Sequence, residues 1–287
     1  GSLRNPASFC GVVGLRPSLG RVPTWPTTNQ WETTSVSGPM GRNVGDVALL
    51  LSVMAGPDPR VPLALREPGH LFGPPLHGGL QGLRVGWSRD LGGLFEVDDR
   101  VAAVVEEAGR RMVRAGAHVY AGHPDLSTAD ETFRTLRAWH FQATFGDLLR
   151  RHPDGLKPSL ADNIRAGERL TGADVARAYA RRTALTETMR EFFTRYDLLV
   201  LPVSQVPPFP ADQEYPTEIN GRPTADYLDW MRSAYVISVT GCPAISVPAG
   251  TTPEGWPVGV QLVAPHGQDR RLLEIAAAFE AAGQFTG

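Results

Sequence analysis

The run Gly1-Ser2-Leu3-Arg4-Asn5-Pro6-Ala7-Ser8-Phe9-Cys10-Gly11-Val12-Val13-Gly14-Leu15-Arg16-Pro17 decides how this chain is read. A small-residue turn comes first, then a short helix start, then an apolar stretch that reads as a buried strand. Asn5 is a residue type that caps helix N-termini, Pro6 suits the first helical position, and Gly11 can close the helix in a left-handed conformation. Ser2 is then held at a rigid strand-helix junction. Free backbone N–H groups and the positive end of the helix dipole would face negative charge developing there, which favours an oxyanion site. The plain alternative is that Gly1-Ser2 is only a tight turn or a cloning remnant.

Composition sets the outer limits. The chain has 287 residues, 42% of them hydrophobic and 20% charged, enough for one large domain with a sizeable core or for two small ones. A net charge of -2 and a pI near 6.4 give no reason to expect a nucleic acid or an anionic membrane as partner. No apolar run of about 18 residues is present to span a membrane. Two solitary cysteines, Cys10 and Cys242, suggest neither a disulfide framework nor a zinc site, so the expected compartment is the reducing cytoplasm.

Beyond the opening run, a Trp- and Thr-rich loop through Trp25 and Trp31 leads to Gly38-Pro39, and loops of this kind often line sites. Asn43 as cap, Asp46 three residues on and an apolar period to Met54 predict a helix that stops at Gly56-Pro57. Residues 57–82 read as a surface connection. A strand at 83–87, a helix from Asp98 to Ala115 and a strand at 117–120 predict a parallel pair with a right-handed crossover. Helices follow at about 128–151, capped by Ser127, and at about 173–195, capped by Thr171 with Asp174 in the capping-box position. Asp197 to Pro202 is a buried strand, and the Pro-rich stretch from Pro202 to Pro223 a long loop. A helix near 224–238, a strand ending at Gly250, a second at 258–263 and a closing helix from Gln268 to Ala282 complete the chain. The fold class is α/β, a mixed sheet flanked by helices.

The opening run resembles the end of the signature of the amidase signature family, Gly-Gly-Ser-Ile/Leu-Arg-x-Pro-Ala followed by Gly-x-x-Gly-Leu-Lys/Arg-Pro. Three further runs resemble it too: the one from Gly38-Pro39-Met40, Thr240-Gly241-Cys242-Pro243-Ala244-Ile245-Ser246-Val247-Pro248, and Pro257 to Pro265 with Gln261-Leu262-Val263 inside it. The resemblance is weak through residues 57–200. It implies a single α/β/α domain of which residues 1–287 are the C-terminal portion, the sheet lacking its first strands. It also implies that Ser2 is the acylated nucleophile of a Ser-Ser-Lys triad, with the backbone N–H groups of Gly1 and Ser2 as the oxyanion hole. The activating serine and lysine lie earlier in the family's chains and have no counterpart here. The one lysine among 28 basic residues, Lys157, stands far downstream in a Gly-Leu-Lys-Pro-Ser loop.

Arg4 is expected to support the site by pairing with a carboxylate from the absent segment. Trp31, Trp230, Tyr235 and Cys242 are expected to line an aromatic, apolar pocket suited to an aryl or alkyl amide. No metal or cofactor is called for. The expected partner is a small-molecule amide, with a homodimer left open. The alternatives are the glutaminase subunit of a tRNA-dependent amidotransferase and an inert fragment or binding domain. Against the first, Thr33-Thr34-Ser35-Val36-Ser37-Gly38-Pro39 stands where such subunits read Ser-x-Asp-Gln-x-Gly-Pro, and Asp229 is the only acid near the position that grips the glutamine amine. Histidine chemistry has no motif context, since no histidine precedes His70 and none stands in a nucleophile-elbow or metal-helix pattern. His118, His123 and His140 read as surface or packed residues. An N-terminal-nucleophile mechanism needs its hydroxyl on residue one, where Gly1 stands.

Overall fold

The computed structural model describes residues 1–283. The first helix, α1, spans Arg4–Cys10 with Leu3 at its N-cap and no side-chain cap bond. Asn5 and Pro6 are therefore the second and third helical residues, and not the cap and first position that their types suggest. Proline is tolerated there because a helix leaves its first four N–H groups without intrahelical partners. Gly11 ends α1 as expected, at φ 65° with its N–H on the carbonyls of Ala7 and Ser8.

Seven strands make the main sheet: β1 (Val13–Arg16), β2 (Met40–Gly41), β3 (Arg84–Trp87), β4 (His118–Ala121), β5 (Leu198–Pro202), β8 (Ala244–Thr251) and β9 (Pro257–Val263). Their order is β2-β1-β8-β9-β5-β3-β4. β3 pairs in parallel with β4 and with β5, as a right-handed crossover through α3 (Asp99–Arg114) requires, while β1, β8 and β9 pair antiparallel. A separate hairpin, β6 (Glu218–Ile219) and β7 (Arg222–Pro223), gives structure to part of the Pro-rich loop. Apolar residues of the central strands, Val85, Leu199, Leu201, Ile245, Val260 and Leu262 among them, are wholly buried and join one core.

Helices α2 (Val44–Met54), capped by the Asn43 side chain, and α6 (Gly172–Arg195), with a full Thr171–Asp174 capping box, start where their caps place them. α4 (Ala129–Arg151) does not: Thr128 is its N-cap without a side-chain bond, and Ser127 lies outside it. A helix without a counterpart in the sequence pattern, α5 (Pro158–Glu168), packs against α4. Lys157 is its exposed N-cap residue rather than part of a loop, and Pro158 occupies the first helical position, where it pre-sets the helical φ. α7 (Arg232–Ser238) and α8 (Asp269–Ala282) complete the set.

Candidate active site

Ser2 sits in the turn that enters α1, exposed, between residues that are progressively buried. Two contacts fix that turn. β1 lies so close that a Cβ on Gly14 would fall 2.3 Å from the Leu3 carbonyl oxygen and 2.7 Å from the Ala7 Cβ. On the far side of α1 the Ser8 hydroxyl accepts the Gly259 N–H of β9 at 2.8 Å. The hydroxyl of Ser2 makes no hydrogen bond among the described residues, and it opens onto a cavity of about 240 Å³.

Arg4 is 1% exposed and anchors the same turn from below. Its guanidinium donates to the Gln261 Oε1, to the Ala234 carbonyl at 2.9 Å and to the Ser238 Oγ at 2.5 Å. These partners are neutral and come from β9 and α7, and the Arg4 Nε is buried without a partner among the described residues. Burial, reinforced by the nearby Arg16, lowers its pKa well below the usual arginine range.

Two further elements wall the cavity. One is the loop at Thr34, Ser35 and Val36. Glu32 stiffens it by accepting the Thr34 N–H at 2.8 Å and the Ser35 N–H at 3.0 Å. Arg182 of α6 donates to the Thr33 carbonyl at 2.9 Å, and Arg16 to the Thr34 and Cys242 carbonyls at 3.5 and 3.2 Å. Burial, with repulsion from Arg182 next, lowers the Arg16 pKa to about 10.

The other wall is one face of α4, where Phe133, Arg137, His140 and Phe141 recur at i, i+4, i+7 and i+8. His140, which reads from sequence as surface or packed, is thus brought to the cavity with a buried Nδ1 that has no partner among the described residues. Arginines 4, 16 and 137 are the charged side chains of this lining, and no acid contributes to it.

The residues expected to form the pocket lie outside the lining of this cavity. Tyr235 is wholly buried behind Phe133, stacked on it with centroids 4.3 Å apart, and donates its hydroxyl to Asp130 at 2.5 Å. Burial pushes its phenol pKa up. Trp230 belongs to a second apolar cluster, stacked on Phe9 of α1 at 5.7 Å and edge-on to Phe209 at 5.3 Å. Cys242 is buried and reaches the site only through its carbonyl, while Trp31 is 62% exposed and outside the lining. Asp229 accepts the Ala225 N–H at 2.8 Å and pairs with Arg232, away from Ser2. Each of these buried side chains packs into the fold, and the sequence signal for the α4 wall of this cavity is the four-and-three spacing along that helix. No group of three or more His, Cys, Asp or Glu among the described residues could hold a metal ion. No helix among them is long and apolar enough to cross a membrane.

A serine hydroxyl at a helix entrance thus opens onto a cavity with a cationic and apolar lining. The chain belongs to the Amidase family, whose model matches residues 1–273. It is 36% identical over 284 residues to an acylamidase of Rhodococcus erythropolis, covering 98% of this chain and 59% of that protein. It is 32% identical over 306 residues to the A subunit of the glutamyl-tRNA(Gln) amidotransferase of Synechococcus sp. (strain RCC307), covering 98% and 62%. A solved bacterial aryl acylamidase of the amidase signature family superposes with a TM-score of 0.86 at 25% identity, over 98% of this chain and 60% of that one. The chain spans about six-tenths of the length of the curated relatives it matches.

Proposed function

We propose that this chain carries the nucleophile and half of the substrate pocket of an enzyme that hydrolyses a carboxylic amide. The observation that carries the proposal is the unengaged Ser2 hydroxyl, fixed by Gly14 and Arg4 at the mouth of the cavity. In this reading the Ser2 Oγ attacks the amide carbonyl carbon. The backbone N–H groups of Gly1 and Ser2 receive the developing oxyanion, and Arg4 positions the turn that presents them. The Oγ proton passes to the leaving nitrogen, the C–N bond breaks, and water then splits the resulting ester to give the acid and free Ser2.

The proton needs a base, and Lys157, exposed at the start of α5, does not line the cavity. We therefore assign the base to the serine-lysine pair of the family's triad, in a part of the protein outside these residues, which makes residues 1–287 one portion of a single domain. Leu3, Val36, Phe133 and Phe141 supply the cavity's apolar surface, which supports an aryl or alkyl amide. A glutamine substrate would bring an α-ammonium together with its α-carboxylate, and no acidic side chain lines the cavity to receive the ammonium. Two free thiols, Cys10 and Cys242, support a cytoplasmic setting.

The test is turnover of a 4-nitroanilide by the enzyme and by its Ser2→Ala variant. Loss of turnover in the variant is the expected result, and retained turnover would remove Ser2 from the mechanism.

A further inference from the structure

Arg137 stands out among the arginines of the Ser2 cavity. The terminal nitrogens of Arg4 and Arg16 donate to carbonyl, amide and hydroxyl oxygens of the fold, although the Arg4 Nε, like that of Arg137, is buried without a partner among the described residues. Arg137, among the described residues, has no hydrogen-bond acceptor and no carboxylate, and its Nε is buried without a partner. Its guanidinium lies over the ring of Phe141, whose centroid is 4.0 Å from the guanidinium carbon. One turn earlier on the same helix the contrast is plain: Arg134 is held by Asp130 at 2.8 Å and by Asp226 at 2.6 Å.

We propose that Arg137 is a specificity-determining residue that binds an anionic substituent, a carboxylate in the simplest case, on the amide substrate. The inference rests on the reading of Ser2 as the amide-cleaving nucleophile and adds the substrate's charge to it. A guanidinium stacked on an aromatic face keeps its in-plane N–H groups free, and that fork matches a carboxylate edge with two parallel hydrogen bonds. The neighbourhood favours an anion and no cation, since Arg4 and Arg16 share the lining and no acid does. A guanidinium withdrawn from water without a counter-charge is unfavourable, and an arriving carboxylate relieves that cost. Burial in this wall already lowers the Arg137 pKa.

The same anionic chemistry could come from a carboxylate elsewhere in the protein, and the experiment separates the two sources. The probes are the mono-4-nitroanilide of glutaric acid, which ends in a free carboxylate, and the 4-nitroanilide of 5-methylhexanoic acid, its uncharged isostere. The wild-type enzyme is expected to prefer the acid. In Arg137→Met the ratio of kcat/KM for acid over isostere should fall about 10- to 100-fold, mainly through KM, and Arg137→Lys should recover part of it. A ratio left unchanged in Arg137→Met overturns the proposal, and a lowered Tm alongside it would assign the charge to a carboxylate of the protein. If neither anilide is cleaved, the amide reading of Ser2 has failed on its own, and glutarate titrated calorimetrically into the Ser2→Ala protein decides. Binding weakened at least tenfold by adding Arg137→Met supports the anion site, whereas equal or absent binding overturns it.

Discussion

The α-carbon of Gly14 and the carbonyl oxygen of Leu3 are so close that a Cβ on Gly14 would lie 2.3 Å from that oxygen. Strand β1 and the turn that carries Ser2 are therefore locked together by the absence of a side chain, and the serine inherits the rigidity of the sheet. Gly14→Ala must push the turn away or bend the strand, since the obstacle is backbone and cannot rotate aside. We expect a loss of about 1–3 kcal/mol in urea unfolding and slower reaction of Ser2 with a fluorophosphonate. Unchanged stability and labelling would show that the contact does not position the serine.

Arg4 joins α1 to α7 and β9 through three neutral acceptors. Arg4→Met removes the donors that serve the buried Gln261 amide oxygen, the Ala234 carbonyl and the Ser238 hydroxyl. The expected cost is about 3 kcal/mol in equilibrium unfolding, and Arg4→Lys should rescue little because one ammonium cannot reproduce the planar fork. Full rescue by lysine would mean that only charge matters there.

The α4 wall is tied to the segment before α7 by Arg134 and Asp226. Burial by itself would raise the Asp226 carboxyl pKa, but the hydrogen bond from Arg134 outweighs it and holds the group below its usual value. A carboxyl whose pKa is depressed on folding contributes stability above its unfolded pKa, near 4, and loses that contribution as the pH falls through the folded pKa. Stability should therefore drop more steeply below about pH 4 in the wild type than in Asp226→Asn. Parallel acid unfolding curves for the two proteins would contradict this.

The capping box of α6 gives a control remote from the chemistry. Thr171→Ala removes the acceptor for the Asp174 N–H at 3.2 Å and should cost about 1 kcal/mol, read as a shift in the urea midpoint with no change in slope. A shift of less than a few tenths would mean that packing alone sets this helix start.

How much of this is written in the sequence varies with the kind of signal. Asn43 and Thr171 are legible as caps because each is followed by an acid at the third helical position and an apolar period. Asn5 misleads for the opposite reason: the turn is set by tertiary contacts of Gly14 and Arg4, so α1 begins on Arg4 after an uncapped leucine. Pro158 reads as a loop residue although proline starts helices as readily as it breaks them. The serine is legible because its neighbours recur in a long motif. The pocket is not, because Trp230 and Tyr235 are as hydrophobic as pocket residues and nothing local tells the two fates apart. The arginine, histidine and aromatic rings of α4 do share a helical face, but that face is mixed, and only the fold shows which neighbour it meets.

The central claim is that Ser2 forms the covalent bond to the substrate. Its most direct measurement is to react the enzyme with a fluorophosphonate, or to trap it during turnover of an aryl ester, and to map the modified peptide by mass spectrometry. The account predicts a single adduct on Ser2, in the peptide that continues into Leu3-Arg4, and no adduct in Ser2→Ala. An adduct on another residue, or undiminished labelling of the Ser2→Ala protein, would contradict it.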